Sequence, residues 1–196
     1  MSPHGTSTSG HMTRPIEFAL RLNTSELVSV LLAHGADIDS HEFEVALTNS
    51  STELVKLLIE MSAEARYQLY RIGALQVAAG AGRLEMVEFL LGLPGMDVDG
   101  RPRGWRKGTT ALIEAVEKGR VAVVEYLLVN GADPELVNGA DPGLVSSGRE
   151  GDFRKAVEVA RELEDGEVKT EILELLRIAG EAGKEEQSRG ELRTEL

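Results

Sequence analysis

The chain has 196 residues, 42% of them hydrophobic and only 4% aromatic, with no cysteine and a formal net charge of −12. That length suffices for one domain with its own core, and the shortage of aromatics makes the core aliphatic, which suits stacked Leu/Val/Ala helices. The missing cysteine excludes disulfides, thiolate zinc sites and a cysteine nucleophile. The charge works against nucleic acid or an anionic membrane surface as a partner of the whole molecule.

In chain order, residues 1–12, MSPHGTSTSGHM, are small and polar with no apolar h-region. They are not a signal peptide. They read as a scar of expression, and His4 and His11 are set aside with them. No apolar run anywhere approaches the roughly 20 residues of a membrane helix.

Four segments then fall into register. They start at Arg14 (RPIEFALRLNTSELVSVLLAHGADID), His41 (HEFEVALTNSSTELVKLLIEMSAEA), Gly73 (GALQVAAGAGRLEMVEFLLGLPGMDVD) and Thr110 (TALIEAVEKGRVAVVEYLLVNGADPELV), spaced 27, 32 and 37 residues apart. A small residue recurs at Ala19, Ala46, Ala78 and Ala115, where a short first helix must approach its neighbour closely. Four residues on stand Asn23, Ser50, Gly82 and Gly119; Asn and Gly suit the left-handed residue that ends a helix, and Ser50 suits it less.

A second helix follows in each copy, with apolar triplets at i, i+3, i+4 that share one helical face. These are Leu27/Val30/Leu31, Leu54/Leu57/Leu58, Met86/Phe89/Leu90 and Val123/Tyr126/Leu127. Gly35 and Gly131 open the loops HGADID and NGADPELV, as expected just past a helix end. A unit of two short helices cannot bury its own apolar stripe, so neighbouring units must stack.

HGADID, NGADP and ALQVAAGAGRLEMVEFLL closely resemble the inter-repeat loop and helix pair of the ankyrin-repeat family. The resemblance covers residues 14 to about 138. The family's Thr-Pro-Leu-His tetrapeptide stands here as RPIE, HEFE, GALQ and TALI, and the second copy has SAEA in place of Gly-Ala-Asp. The resemblance implies an all-α solenoid of about five helix-turn-helix units with projecting loops, and a non-catalytic scaffold that binds protein.

After Glu135 a local tandem, ADPELVNG then ADPGLVSSG, lengthens the loop. GDFRKAVEVARELEDGEVKTEILELLRIAGE follows as two helices, with Ile172, Leu175 and Leu176 repeating the triplet. This reads as a modified fifth unit acting as a polar C-terminal cap. The expected organisation is an ankyrin-repeat domain over 13–183, with repeats near 14–40, 41–72, 73–109 and 110–145 and the cap at 146–183. Residues 184–196, KEEQSRGELRTEL, lack an apolar stripe and are expected to be a disordered acidic tail.

His34, Asp37, Asp39 and His41 could be taken for zinc ligands. Yet His-Gly-Ala-Asp is what the ankyrin loop looks like, and the NGAD copy has no histidine, so no metal is expected. Serines 25, 50, 51, 62, 146 and 147 fall in turns or caps, and no Gly-x-Ser-x-Gly elbow is present. GAGR at 80–83 lies between helices with no preceding strand, so it is not a dinucleotide fingerprint and no cofactor is implied. Glu42/Glu44 and Asp97/Asp99 would need a cleft to serve as acid and base. The sequence therefore points away from catalysis.

The anomaly is RPRGWRK, residues 101–107, which gathers Arg101, Arg103, Arg106 and Lys107 around the only tryptophan, Trp105. In ankyrin proteins such a loop is a finger beside the concave face, and the preceding finger carries Arg66, Tyr67, Tyr70 and Arg71. Trp, Tyr and Arg are the residue types that dominate binding hot spots. Two readings stand: a partner-binding surface, with a partner that carries an acidic segment, or a local staple in which Trp105 folds back and the arginines answer Asp97 and Asp99. Three functions compete: an intracellular scaffold for a peptide or protein, a chaperone-like escort of a basic client on the acidic surface, and a small enzyme with a pocket on the concave face. A single copy, with no nucleic acid and no membrane, is the expected working form.

Overall fold

The computed structural model of the chain describes residues 14–63, 65, 67, 69, 72–102, 109–136 and 155–194, with side chains to residue 184. Ten helices are defined among them: α1 Pro15–Arg21, α2 Ser25–Ala33, α3 Ser40–Asn49, α4 Thr52–Met61, α5 Ala74–Ala81, α6 Leu84–Leu91, α7 Ala111–Glu117, α8 Val121–Val129, α9 Ala156–Arg161 and α10 Glu167–Thr194. No described residue forms a β-strand.

Local chemistry starts these helices. Pro15 opens α1, where its missing N–H costs nothing. Asp39 and Glu42 form a reciprocal capping box at α3, Ser51 Oγ accepts the Leu54 amide at α4, and Thr110 Oγ1 accepts the Ile113 amide at α7. Three of the four inter-helix turns end in a left-handed residue, Asn23 (φ 53°), Gly82 (φ 78°) and Gly119 (φ 64°). In each, the next amide reaches back to the conserved-column alanine: Thr24 to Ala19, Arg83 to Ala78 and Arg120 to Ala115. This is the Schellman closure. Ser50 departs from it, as its side chain suggested. It is extended (φ −89°, ψ 162°) and buried, and its hydroxyl donates to Leu20 O at 2.8 Å.

First helices pack on first helices (α1, α3, α5, α7, α9) and second helices on second helices (α2, α4, α6, α8, α10), giving a two-layer stack. Ala19, Ala46, Ala78 and Ala115 are all fully buried, so the alanine column lets the first helices approach. Leu58, Leu90 and Leu127, the last members of their triplets, are also at 0% exposure.

A polar ladder runs alongside the apolar one. Ser50 of the second unit bonds Leu20 O, Arg83 Nη1 of the third bonds Leu47 O at 2.9 Å, and Arg120 Nε of the fourth bonds Gly80 O at 3.1 Å. Each turn thus satisfies carbonyls at the end of the preceding unit's first helix. Asn23 adds a rung by accepting the Ser51 amide at 2.7 Å.

At the C-terminus α9 and α10 continue the stack, with Ile172 and Leu176 buried. The expected tail from 184 is different in its backbone: α10 runs on to Thr194. Glu, Lys, Gln and Arg are strong helix formers, so this segment extends a helix already nucleated without needing an apolar face. Residues 137–154, which hold the tandem copy and the start of the expected cap, lie outside the described residues.

Leu90→Ala should cost about 2–5 kcal/mol, the range for emptying a packed core site. A denaturant titration checks it, and a loss below about 1 kcal/mol would contradict the packing described here.

Candidate functional site

The connection between α6 and α7 leaves the stack and returns to it. Its outgoing stem is tied at several points. The Met96 amide bonds Leu93 O, the Gly100 amide bonds Asp97 O, and Asp97 Oδ1 accepts the Asp99 amide at 3.1 Å. Gln76, buried on α5, donates its amide N–H to Gly100 O at 2.5 Å, and Pro102 is buried against Gly73. Gly73 has φ 72°, and a Cβ there would sit 2.5 Å from Pro102 Cγ, so only glycine fits the junction. On the returning stem Thr109 is buried, and its hydroxyl donates to Glu114 Oε1 at 2.6 Å.

Beside the outgoing stem lies a shallow groove of about 190 Å³. Its walls come from two successive connections, Leu69 on one side and Met96, Arg101 and Pro102 on the other, with Gly73 and Leu75 between. Of the residues singled out from sequence, Arg101 is half-buried and lines the groove, while Tyr67 is 61% exposed, two residues before Leu69. Trp105, Arg103, Arg106 and Lys107, with Arg66, Tyr70 and Arg71, lie outside the described residues.

Asp99 couples this connection to the next loop. Its two carboxylate oxygens accept the Asp133 amide at 3.1 and 3.3 Å. Burial pushes its carboxyl above the ordinary value, and the neighbouring Asp133 and Asp97 charges push the same way. The Asp133 amide and the Arg101 guanidinium oppose the shift.

The histidine loop is built around charge pairs. Arg14 Nη1 lies 2.8 Å from the buried Glu42 and 3.2 Å from Asp39, and Arg14 Nη2 donates to Asp37 O. His34 Nδ1 lies 2.8 Å from Val30 O at the end of α2. His41, in the first turn of α3, has its Nε2 3.7 Å from Glu17, which Arg21 also holds at 2.9 Å. Among the described residues no group of three or more His, Cys, Asp or Glu is placed to hold a metal ion. None of their helices is long and apolar enough to cross a membrane.

Sequence reasoning missed Gln76, Pro102 and the Asp99–Asp133 link. A glycine directly ahead of a helix at Gly73 was the available signal for a tight junction.

Comparison with known families matches residues 43–138 to ankyrin repeats (3 copies). The chain belongs to the ankyrin-repeat family. It is similar to the ankyrin repeat and KH domain-containing protein mask-1 of Caenorhabditis elegans, at 31% identity over 128 residues, 63% of the chain. The chain spans 5% of that protein's length. Ankyrin repeats are generally protein–protein interaction modules, and the family is typically non-catalytic.

The raised Asp99 carboxyl sets a pH signature for this ankyrin loop. In the folded state its charged form is disfavoured, so the penalty is present above its folded value and is relieved as pH falls toward the ordinary carboxylate value. Relative to Asp99→Asn, which does not titrate there, wild type should gain stability between pH 7 and about pH 4.5. Denaturant midpoints of both proteins at the two pH values check this, and movement in the opposite direction would contradict the assignment.

Proposed function

We propose that this chain is a non-catalytic intracellular scaffold that holds a protein or peptide partner against the loop joining α6 and α7 and the groove at its base. The observation that carries the reading is the double anchoring of that loop. Gln76, Gly73 and Pro102 fix the chain up to residue 102, and Thr109 with Glu114 fixes it again from residue 109. The six residues between these anchors in sequence, 103–108, include Arg103, Trp105, Arg106 and Lys107, and Arg101 lines the groove. Preorganising a loop cuts the entropy its binding residues would lose on association.

The chemistry favours a partner with an acidic or carboxylate-bearing segment. Arginine offers a planar fork matched to a carboxylate. Trp105 supplies an apolar contact or a stacking face for a guanidinium. Nucleic acid is disfavoured because the chain carries a net charge of −12, which repels phosphate.

Affinity capture from native lysate identifies the partner, and titration of variants against it tests the surface. Trp105→Ala should weaken binding by about 2 kcal/mol or more without a comparable loss of stability. Replacing Arg101, Arg103 and Arg106 with Ser should slow association and flatten its dependence on salt. Unchanged affinity in both variants would overturn the reading, and a Trp105→Ala protein that simply melts earlier would mark the tryptophan as a staple.

A further inference from the structure

Two of the second helices, α2 and α8, end on the same device. After α2, Gly35 is left-handed (φ 83°) and the Ala36 amide reaches back to Leu31 O. The His34 ring folds back as well, with Nδ1 2.8 Å from Val30 O. After α8, Gly131 is left-handed (φ 89°) and the Ala132 amide reaches back to Leu127 O. Here Asn130 Nδ2 donates to Tyr126 O at 2.8 Å. The positive φ calls for glycine at both ends. The residue before it spends its side chain on the carbonyl four positions earlier, which its own amide also reaches.

The two caps differ in chemistry. The His34 imidazole has no carbonyl for the Gly35 amide to attack. Asn130 has one, and its Cγ closes a five-membered imide with the Gly131 backbone nitrogen. In that step the Gly131 N–Cγ bond forms, the Cγ–Nδ2 bond breaks, and Nδ2 leaves as ammonia with the Gly131 amide proton. Water then opens the imide at either carbonyl, giving aspartate or isoaspartate. Asparagine is labile for this reason, and glycine puts no side chain in the way. Both residues are exposed, and a Cβ built at Gly131 would meet nothing within 4 Å.

The fold holds both reacting groups. The Gly131 amide donates to Leu128 O at 3.1 Å, and Nδ2 is on Tyr126 O. Ring closure needs both bonds broken, so it runs through opening of the last turn of α8. Helix ends open locally at far smaller free-energy cost than the whole fold.

We propose that Asn130 is a modification site of this chain, deamidated through fraying of the end of α8, and that the product loosens the loop that follows. Asparagine donates to Tyr126 O, whereas aspartate cannot. Aspartate also puts a negative charge at the C-terminal end of a helix, where the dipole opposes it. Isoaspartate further lengthens the backbone just ahead of Ala132 and Asp133, whose amides bond Leu127 O and the Asp99 carboxylate. The link between the two loops thus depends on an intact Asn130. This holds whatever the chain binds.

Incubation of the full chain at mildly alkaline pH, beside a synthetic peptide of residues 128–134, tests it. The string VNGADP recurs at 137–142, so digestion after glutamate is used to separate the copies, and fragment 126–135 carries Asn130 alone. That fragment should gain the mass difference between amide and acid, at a rate at least about tenfold below the peptide's. Urea sufficient to unfold the chain should bring the two rates together. Asn130→Asp should lower the denaturant midpoint. Asn130→His, which copies the cap of α2, should keep the midpoint near wild type and abolish the mass change. No conversion at Asn130 over a time that exhausts the peptide many times over would overturn the proposal. So would a folded-state rate equal to the peptide's, or an Asn130→Asp protein as stable as wild type.

Discussion

Two short helices cannot cover their own apolar faces, and every other feature of this chain answers that shortage. The alanine column brings first helices together with no exposed surface, and the leucines that close each triplet fill the space between layers. Burial of this kind scales with area removed from water and has no preferred direction. It holds the units together without deciding their register. Register comes from the polar rungs, in which Ser50, Arg83 and Arg120 each reach one unit back to a helix-end carbonyl. Leu20 O accepts the Asn23 amide as well, so Ser50 adds a second, buried bond there.

The second unit shows how the two systems trade. It lacks glycine at the turn, so α3 ends without the Schellman closure used by its neighbours. Arg83 of the next unit supplies a donor to Leu47 O instead, and Ser50 spends its hydroxyl on the unit before. A degenerate repeat is thus completed by side chains on both sides. The same economy appears at the loop between α6 and α7, where Gln76 and Thr109 fasten the stems that the Gly73–Pro102 contact positions.

Among the described residues the first and last helix pairs each have a packed helix pair on one side only. On the last pair α10 carries exposed ion pairs, which add little stability but keep the surface wetted. On the first helix pair Phe18, Leu22, Leu27 and Val30 are exposed.

The helix pairs, their left-handed ends at Asn23, Gly82 and Gly119, and the burial of Leu90 were legible in the sequence because each depends on residues within one or two turns of each other. Spacing carries that information directly. Even Ser50 announced itself as an exception. What the sequence could not carry were pairings across units: Arg83 with Leu47, Gln76 with Gly100, and Asp99 with the Asp133 amide lie 36, 24 and 34 residues apart. No periodicity encodes which side chain faces which carbonyl once the units stack, since that depends on their angle and separation. The exposure of Phe18 and Leu27 belongs to the same class. Their letters are those of core residues, and only the packing of the described helices shows them at the surface.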